Sequence, residues 1–391
     1  MLKAIKILLN PNKEQVNYIN NLLGSYRFVY NKCLALKIDS YNTEQKTLSR
    51  YDLQHYFHNE LTKNSEYNWL NEHNTKVLKH SLINLDNAYK KFFKENKGFP
   101  KYKSKRDNIL SCTFPLEAIS KRNIFLDKKI TLTKQLQDIK FRTSKEYVDI
   151  LNAHKSNIRS ATLSKTKTGK YFLSILIDIP NTKILPKTKN IVGIDVGIKD
   201  FVVTSDGEVF KNIKIKRNNQ KNLSRLHRNL SKKQKNSKNK NKSRIKLAKK
   251  YEKLNNIKEN YLHNITNSLL NENQVIVMED LNIKGMLKNH KLAKSIQELS
   301  LYRFKTILKY KANWYNRNII EIDRYFPSSK LCNVCSHKNE DLSLKDRQWT
   351  CKSCNAHHNR DFNASLNIKN EGQRLLKIGI RSPKLTLLEI S

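Results

Sequence analysis

FPSSKLCNVCSHKNEDLSLKDRQWTCKSCNAHHNRDFNASLNI, residues 326–368, decides how the rest of the chain is read. It holds two C-x-x-C pairs, Cys332/Cys335 and Cys351/Cys354, with fifteen residues between them, a spacing that reads as a tetrathiolate zinc site. Four thiolates close a tetrahedral ion and leave no open position, so one Zn²⁺ is expected here in a structural role. His357 and His358 are the alternative ligands should one thiolate be replaced. Lys330, Lys338, Lys345, Arg347, Trp349 and Lys352 make the same ribbon a candidate nucleic-acid contact. Directly after the second pair, Asn359-Arg360-Asp361-Phe362-Asn363-Ala364 holds an acid close to the metal module.

The composition names the class of partner. Lys and Arg outnumber Asp and Glu by 76 to 34 in 391 residues, a formal net charge of +42. Such a surplus calls for an extended polyanion, because neutralising phosphates releases condensed counterions and supplies affinity for any sequence. A membrane is the competing anion, but the chain has neither an apolar run of eighteen residues nor a basic amphipathic helix with a strong apolar face. MLKAIKILLN at the N-terminus lacks the apolar core and small-residue cleavage site of a signal peptide. Cys33 and Cys112 lie far apart with no partner motif, so a reducing, cytoplasmic setting is expected.

Working backwards from the ribbon, three acids stand at or near the ends of expected core elements. Ile191-Val192-Gly193-Ile194-Asp195 and Gln274-Val275-Ile276-Val277-Met278-Glu279 each read as a buried strand ending on a carboxylate, and Asp361 is the third. After Asp195, strands at 199–204 and 208–215 joined by Asp206-Gly207 form the opening meander of an RNase H-like sheet. A strand at 319–322 and a helix near 295–316 complete it. Clustered carboxylates are hard oxygen ligands, and two Mg²⁺ ions roughly 3.5–4 Å apart stabilise the attacking and leaving oxygens of a phosphodiester. Asp195 is read as bridging both ions, with Glu279 and Asp361 each completing one. Asp200 and Asp280 are the neighbouring acids expected to face elsewhere. Residues 211–250 contain seventeen Lys or Arg and no acid, with Arg225 and Arg228 on a helix and 231–243 expected to be flexible.

The front half reads as a β module interrupted by helices. Residues 2–9 form a strand stopped by Asn10-Pro11, and helical spacing follows from Val16 to Tyr30. Further helices are expected at 52–61 and 75–95, where Val77, Leu78, Leu82, Leu85, Tyr89, Phe92 and Phe93 make one apolar stripe. Strands are expected at 123–126, 139–142, 158–164 and 171–177, the last two joined by a turn at Gly169. Gly98-Phe99-Pro100-Lys101-Tyr102-Lys103-Ser104-Lys105-Arg106 is basic and aromatic, suited to gripping a backbone and stacking a base. Candidate nucleic-acid contacts are Lys76, Lys79, His80, Lys103, Lys105, Arg106, Arg225, Arg228 and Arg360.

These residues resemble the TnpB family of transposon-encoded proteins, relatives of the type V CRISPR effector nucleases. The likeness runs from residue 2 to about 370. It rests on Asn10-Pro11, Arg27-Phe28-Val29-Tyr30-Asn31, Gly98-Phe99-Pro100, Gly193-Ile194-Asp195-Val196-Gly197, Glu279-Asp280-Leu281, the C-x-x-C…W-x-C-x-x-C ribbon and Arg360-Asp361-Phe362-Asn363-Ala364-Ser365. The family usually has glycine after the second and fourth cysteines, where this chain has Ser336 and Asn355.

The resemblance implies an α/β multidomain fold, with an RNase H-like (RuvC-like) nuclease domain and an inserted zinc ribbon preceded by a wedge β-barrel interrupted by a helical recognition domain. The corresponding boundaries are 1–10 and 108–182 for the wedge, 11–107 for the recognition domain, 183–326 and 356–372 for the nuclease, 327–355 for the ribbon, and a disordered tail at 373–391. It further implies an RNA-guided DNA endonuclease, a monomer in a ribonucleoprotein with a guide RNA from the transposon end, cutting double-stranded target DNA at one site formed by Asp195, Glu279 and Asp361. The competing readings are an RNA-guided repressor that does not cut, a transposase or transposition regulator, and a non-enzymatic zinc-ribbon binder.

Overall fold

A computed structural model describes residues 1–105, 109–119, 125, 126, 128–180, 184–343 and 345–379. The chain divides into two compact units, Met1–Pro180 and Asn181–Ser391. Arg106, part of the expected strand at 123–126 and the last twelve residues of the expected tail lie outside the described residues.

The first unit is a seven-stranded antiparallel sheet with helices inserted after its first strand. Its elements are β1 (Leu2–Asn10), α1 (Lys13–Glu44), α2 (Arg50–Tyr56), α3 (Thr75–Glu95), β2 (Ile109–Pro115), β3 (Phe125–Leu126), β4 (Lys129–Ile130), β5 (Ile139–Arg142), α4 (Lys145–Ala153), β6 (Ile158–Thr166) and β7 (Tyr171–Asp178), in the sheet order β2-β6-β7-β1-β5-β4-β3. Period-2 alternation buries Ile5, Ile7 and Leu9 of β1. Pro11 ends that strand, and Asn12 opens α1 with a capping box, its side chain accepting from the Gln15 N–H while the Gln15 side chain accepts from the Asn12 N–H. Ile19, Leu22, Leu23, Tyr26, Val29 and Tyr30 of α1 then pack on Val77, Leu78, Leu82 and Leu85 of α3 within one core. The expected stripe of α3 stops short, because Phe93 is 69% exposed. The β6–β7 hairpin turns at Gly169, whose φ of +83° favours glycine. The strands β2 and β4 and the helix α4 have no counterpart among the sequence expectations.

The second unit contains β8 (Ile191–Asp195), β9 (Asp200–Thr204), β10 (Val209–Lys211), α5 (Ile215–Asn218), α6 (Gln220–Ser231), α7 (Lys238–Glu272), β11 (Val275–Glu279), α8 (Ile283–Met286), α9 (His290–Leu299), α10 (Leu301–Tyr315), β12 (Asn318–Ile322), β13 (Gln348–Thr350), β14 (His357–Asn359) and α11 (Arg360–Lys377). Its five-stranded sheet runs β10-β9-β8-β11-β12, with β11 parallel to β8 and β12 and the meander antiparallel. Both faces are covered. Val192, Ile194, Ile276 and Met278 point toward α7 and α10, and Val275, Val277, Ile320 and Ile322 pack with Ile368 of α11.

Four expectations need correction. The third strand ends at Lys211 instead of 215, and Ile215 begins a helical turn. The stretch 231–243 is mostly ordered, because Ser237 caps α7 from Lys238 onward and Leu223, Leu226, Leu247 and Leu254 zip α6 onto α7. The helix near 295–316 is two helices, broken at Ser300 with a φ of +56°. The tail expected from residue 373 is still helix through Lys377, where Gly372 lets α11 close on Val277; a Cβ there would stand 2.4 Å from a Val277 methyl.

Candidate active site and metal centre

Strand parity brings two of the three acids together. Val192 and Ile194 point to the α7/α10 face, so Gly193 and Asp195 point to the α11 face, and the same alternation puts Val275, Val277 and Glu279 there. The parallel register pairs Ile194 with Met278, which leaves Asp195 and Glu279 side by side at the carboxyl ends of β8 and β11. Asp361 arrives on the first turn of α11, whose start is capped by the Asn359 carboxamide accepting from the Phe362 N–H. The close approach of that helix depends on Gly193. A Cβ there would lie 2.2 Å from the Ser365 carbonyl oxygen and 2.5 Å from the Lys369 nitrogen.

The Asp195 carboxyl senses the other two. Burial first, then the charges of Glu279 and Asp361, push the Asp195 carboxyl from 3.8 up to about 7, with Arg360 pulling the other way. Burial also raises Glu279, partly offset by the Ser328 hydroxyl that donates to its Oε1. Arg347 reaches Asp361 with Nη1 at 3.4 Å. Asp280, one residue beyond Glu279, faces the opposite side, where Lys305 and Arg324 meet it at 3.0 and 2.9 Å. Glu321 shares that face and is bonded to Lys305 and Lys309, both at 2.8 Å.

Among the described residues, Cys332, Cys335, Cys351 and Cys354 form the one set of three or more His, Cys, Asp or Glu whose ligand atoms all lie within 4.8 Å of each other. Their sulfurs are free thiols, with Cys332–Cys354 and Cys335–Cys351 at 3.6 and 3.5 Å. A tetrahedron of Zn–S bonds about 2.3 Å long has edges of about 3.8 Å, so the donor set fits zinc. Both knuckles turn through the left-handed region, Ser336 at φ +61° and Asn355 at φ +55°, the two positions where glycine was missing from the expected pattern. His358 is a neighbour of this set, its Nε2 lying 3.1 Å from Cys332 Sγ, while His357 pairs with Thr350. The carboxylates of Asp195, Glu279 and Asp361 do not form such a set.

The ribbon is fastened to the acids by polar bonds. Asn363 and Asn367 of α11 both donate to the Leu331 carbonyl at 2.7 Å, Asn363 also accepts from the Asn333 N–H, and Asn367 donates to the Ser328 carbonyl. Ser328, Asn367 and the contact of Arg347 with Asp361 were not assigned these roles from sequence. A serine or an asparagine carries no spacing signal, and these bonds join residues distant in the chain.

The tentative contacts divide. Arg225 and Arg228 are exposed on α6, and Lys76, exposed, donates to the Glu117 carbonyl. His80 is half-buried and bonded to the Tyr26 hydroxyl, Lys79 is half-buried, and the Lys103 ammonium sits 3.9 Å from the Tyr30 ring centre. Lys105 is exposed beside a cleft lined by Arg27 and Trp69. Arg360 donates to the Ser343 carbonyl.

Three family models match the chain: OrfB_IS605, described as "Probable transposase", over residues 174–290, a Cas12f1-like TNB domain over 302–368, and a helix-turn-helix domain over 1–46. In the structure, residues 1–46 hold β1 and one unbroken helix. A protein of Streptomyces pristinaespiralis described as "Putative RNA-guided DNA endonuclease" is 34% identical over 94% of this chain and 88% of its own. The chain belongs to the TnpB/OrfB_IS605 family. Another TnpB-family relative, InsQ of Escherichia coli K12, carries the same description and is 27% identical over 97% of this chain and 94% of its own. The solved structure titled as a Cas12f1–sgRNA–target DNA complex shares the fold, with a TM-score of 0.58 at 17% identity over 92% of this chain and 83% of that one. Among the described residues, no helix of this TnpB-family chain is long and apolar enough to cross a membrane.

Proposed function

We propose that this chain is an RNA-guided, Mg²⁺-dependent DNA endonuclease with a single RuvC-like site formed by Asp195, Glu279 and Asp361. The observation that carries the reading is the convergence of these three acids on one face of one sheet, close enough that Glu279 and Asp361 raise the Asp195 carboxyl. The strand order, a three-stranded meander followed by two strands parallel to its first, is that of RNase H-like nucleases and supports it. So do the descriptions of the two full-length relatives.

Two Mg²⁺ ions held by the three carboxylates would supply Lewis acidity to the attacking and leaving oxygens. The fit lies in the donor set, since a carboxyl lifted by like charges is relieved by a cation. Asp195, the carboxyl raised by both of the others, would be the ligand common to the two ions. Ser328 orients the Glu279 carboxylate, and Arg347 offers a guanidinium that can trade Asp361 for a phosphate oxygen. The four cysteines would hold a zinc ion that fixes the ribbon carrying both residues. The seven-stranded sheet serves as the wedge module and α1 to α3 as the recognition module. The basic α6–α7 hairpin faces polyanion. Guide RNA from the transposon end and duplex target DNA are the partners, in a monomeric ribonucleoprotein.

The test uses the protein purified with its RNA, offered guide-matched duplex DNA with and without Mg²⁺. Matched cutting by the native chain, and binding without cutting by Asp195→Ala, are expected. Undiminished cutting by Asp195→Ala overturns the triad. Binding without cutting by the native chain favours a repressor, and joined strand-transfer products favour a transposase.

A further inference from the structure

Where α1 and α3 end, the first unit opens an aromatic cavity that neither the nuclease site nor the ribbon uses. It measures about 540 Å³, within the roughly 300–1,000 Å³ of small-ligand pockets. Tyr89, Phe92, Phe93 and Phe99 line one side. Phe92 meets Phe93 at 5.0 Å and Phe99 at 5.4 Å, and Tyr89 lies roughly parallel to Phe93 at 6.3 Å. Tyr41 closes the opposite side, and Lys37 places its ammonium 4.8 Å from the Tyr89 ring centre while donating to the Leu48 carbonyl. Helical spacing should have sunk Phe93 of α3 into the core. Instead it is 69% exposed, and Tyr41 and Phe99 are 54% and 47% exposed. Large rings left in water around a concave opening mark a recognition surface.

The surrounding charge names the occupant. Residues 90–105 carry seven lysines and one acid, Glu95, which is already paired with Lys97 at 2.7 Å. Lys91, Lys94 and Lys101, next to these rings in the chain, are exposed. An apolar peptide needs no such fence and a lipid tail needs no π-face, whereas a nucleotide needs both a π-face for its base and cations for its phosphates. Bases of duplex DNA are stacked and paired, while folded RNA offers unpaired bases in loops and bulges.

We infer that this cavity holds one unpaired base of the guide RNA, stacked on Phe93 and Phe99, with Lys94 and Lys101 on the flanking phosphates; this rests on the guide-binding reading above. The site anchors the RNA independently of its pairing with target.

The full-length protein with its co-purified RNA is irradiated with ultraviolet light and its peptides are analysed by mass spectrometry. A nucleotide adduct on Phe92, Phe93 or Phe99 is expected. The same RNA, extracted, end-labelled and added back, should bind Phe93→Ala/Phe99→Ala about tenfold to a hundredfold more weakly, the effect of losing one stacked base. Its salt dependence should not change, because no phosphate contact is lost. Phe93→Tyr/Phe99→Tyr should restore affinity, and Lys94→Ala/Lys101→Ala should flatten the salt slope by about 1.4, at about 0.7 per phosphate of single strand. If the native protein holds no RNA, the guide-binding reading falls and this site with it. If the native protein holds RNA but gives no adduct on these rings, or the Phe→Ala pair binds that RNA equally, this site alone is overturned. A change from dimer to monomer in the Phe→Ala pair, with RNA affinity intact, would also overturn it and make the rings a self-association face.

Discussion

Replacing Asp195 with asparagine should make the RNA-free, metal-free protein more stable. In the fold, burial and the charges of Glu279 and Asp361 lift this carboxyl from 3.8 to about 7. At 1.36 kcal/mol per pH unit, that is a penalty of about 4 kcal/mol for holding it ionised above pH 7. The folded state binds the proton more tightly than the unfolded one. The penalty is therefore fully present above the folded value, shrinks as pH falls from 7 toward 4, and vanishes below the unfolded value. Asparagine removes the charge and keeps the shape. With relaxation and water taking up part of the penalty, Asp195→Asn should gain about 2–4 kcal/mol at pH 8 in EDTA, a rise in Tm of about 5–12 °C for a unit of this size. On the proposed Mg²⁺ reading, Mg²⁺ should reverse the order, since the native trio would then be stabilised by mass action and the asparagine variant would not. Thermal unfolding at pH 8, 6 and 4.5, in EDTA and in 10 mM Mg²⁺, reads all of this. An asparagine variant no more stable than the native chain at pH 8 in EDTA would refute the reasoning, as would a gap that widens on acidification.

Gly193→Ala should drive the α11 backbone off the sheet, because the new methyl would sit 2.2 Å from the Ser365 carbonyl. A displacement of about 1 Å at Asp361 should lower cutting about a hundredfold, with a loss of about 1–3 kcal/mol in thermal stability. Ser336→Gly should relieve the left-handed backbone at φ +61° by about 1 kcal/mol, read as about fivefold better zinc retention against a chelator. Lys305→Met leaves the buried Glu321 with Lys309 and Asp280 with Arg324, and should cost about 2–3 kcal/mol in thermal unfolding.

The paired cysteines and the strand-end positions of Asp195 and Glu279 were legible in the linear sequence because each belongs to a local pattern. A C-x-x-C pair is a knuckle whatever surrounds it, and an apolar run closing on Asp195 or Glu279 is a strand end in almost any sheet. The same alternation made Asp280 an outward neighbour, and its ion pairs with Lys305 and Arg324 agree. The short strands β2 and β4 escaped notice because two to seven residues carry too little periodicity. The basic run before α7 looked unstructured because its composition hides the Leu223, Leu226, Leu247 and Leu254 zipper.

By itself, then, the sequence determined the chemistry available to this protein: four thiols, three carboxylates and a surplus of cations that calls for phosphate. Tertiary structure decided which of these meet. Asp361 approaches Asp195 because a missing Cβ at Gly193 admits α11, and the cysteine ribbon is tied to the acids through Ser328 and Arg347. It also left Phe93 and Phe99 in solvent, where helical spacing alone had placed Phe93 in the core. Spacing states which side a residue takes on its own element. Only packing states whether another element arrives to cover it.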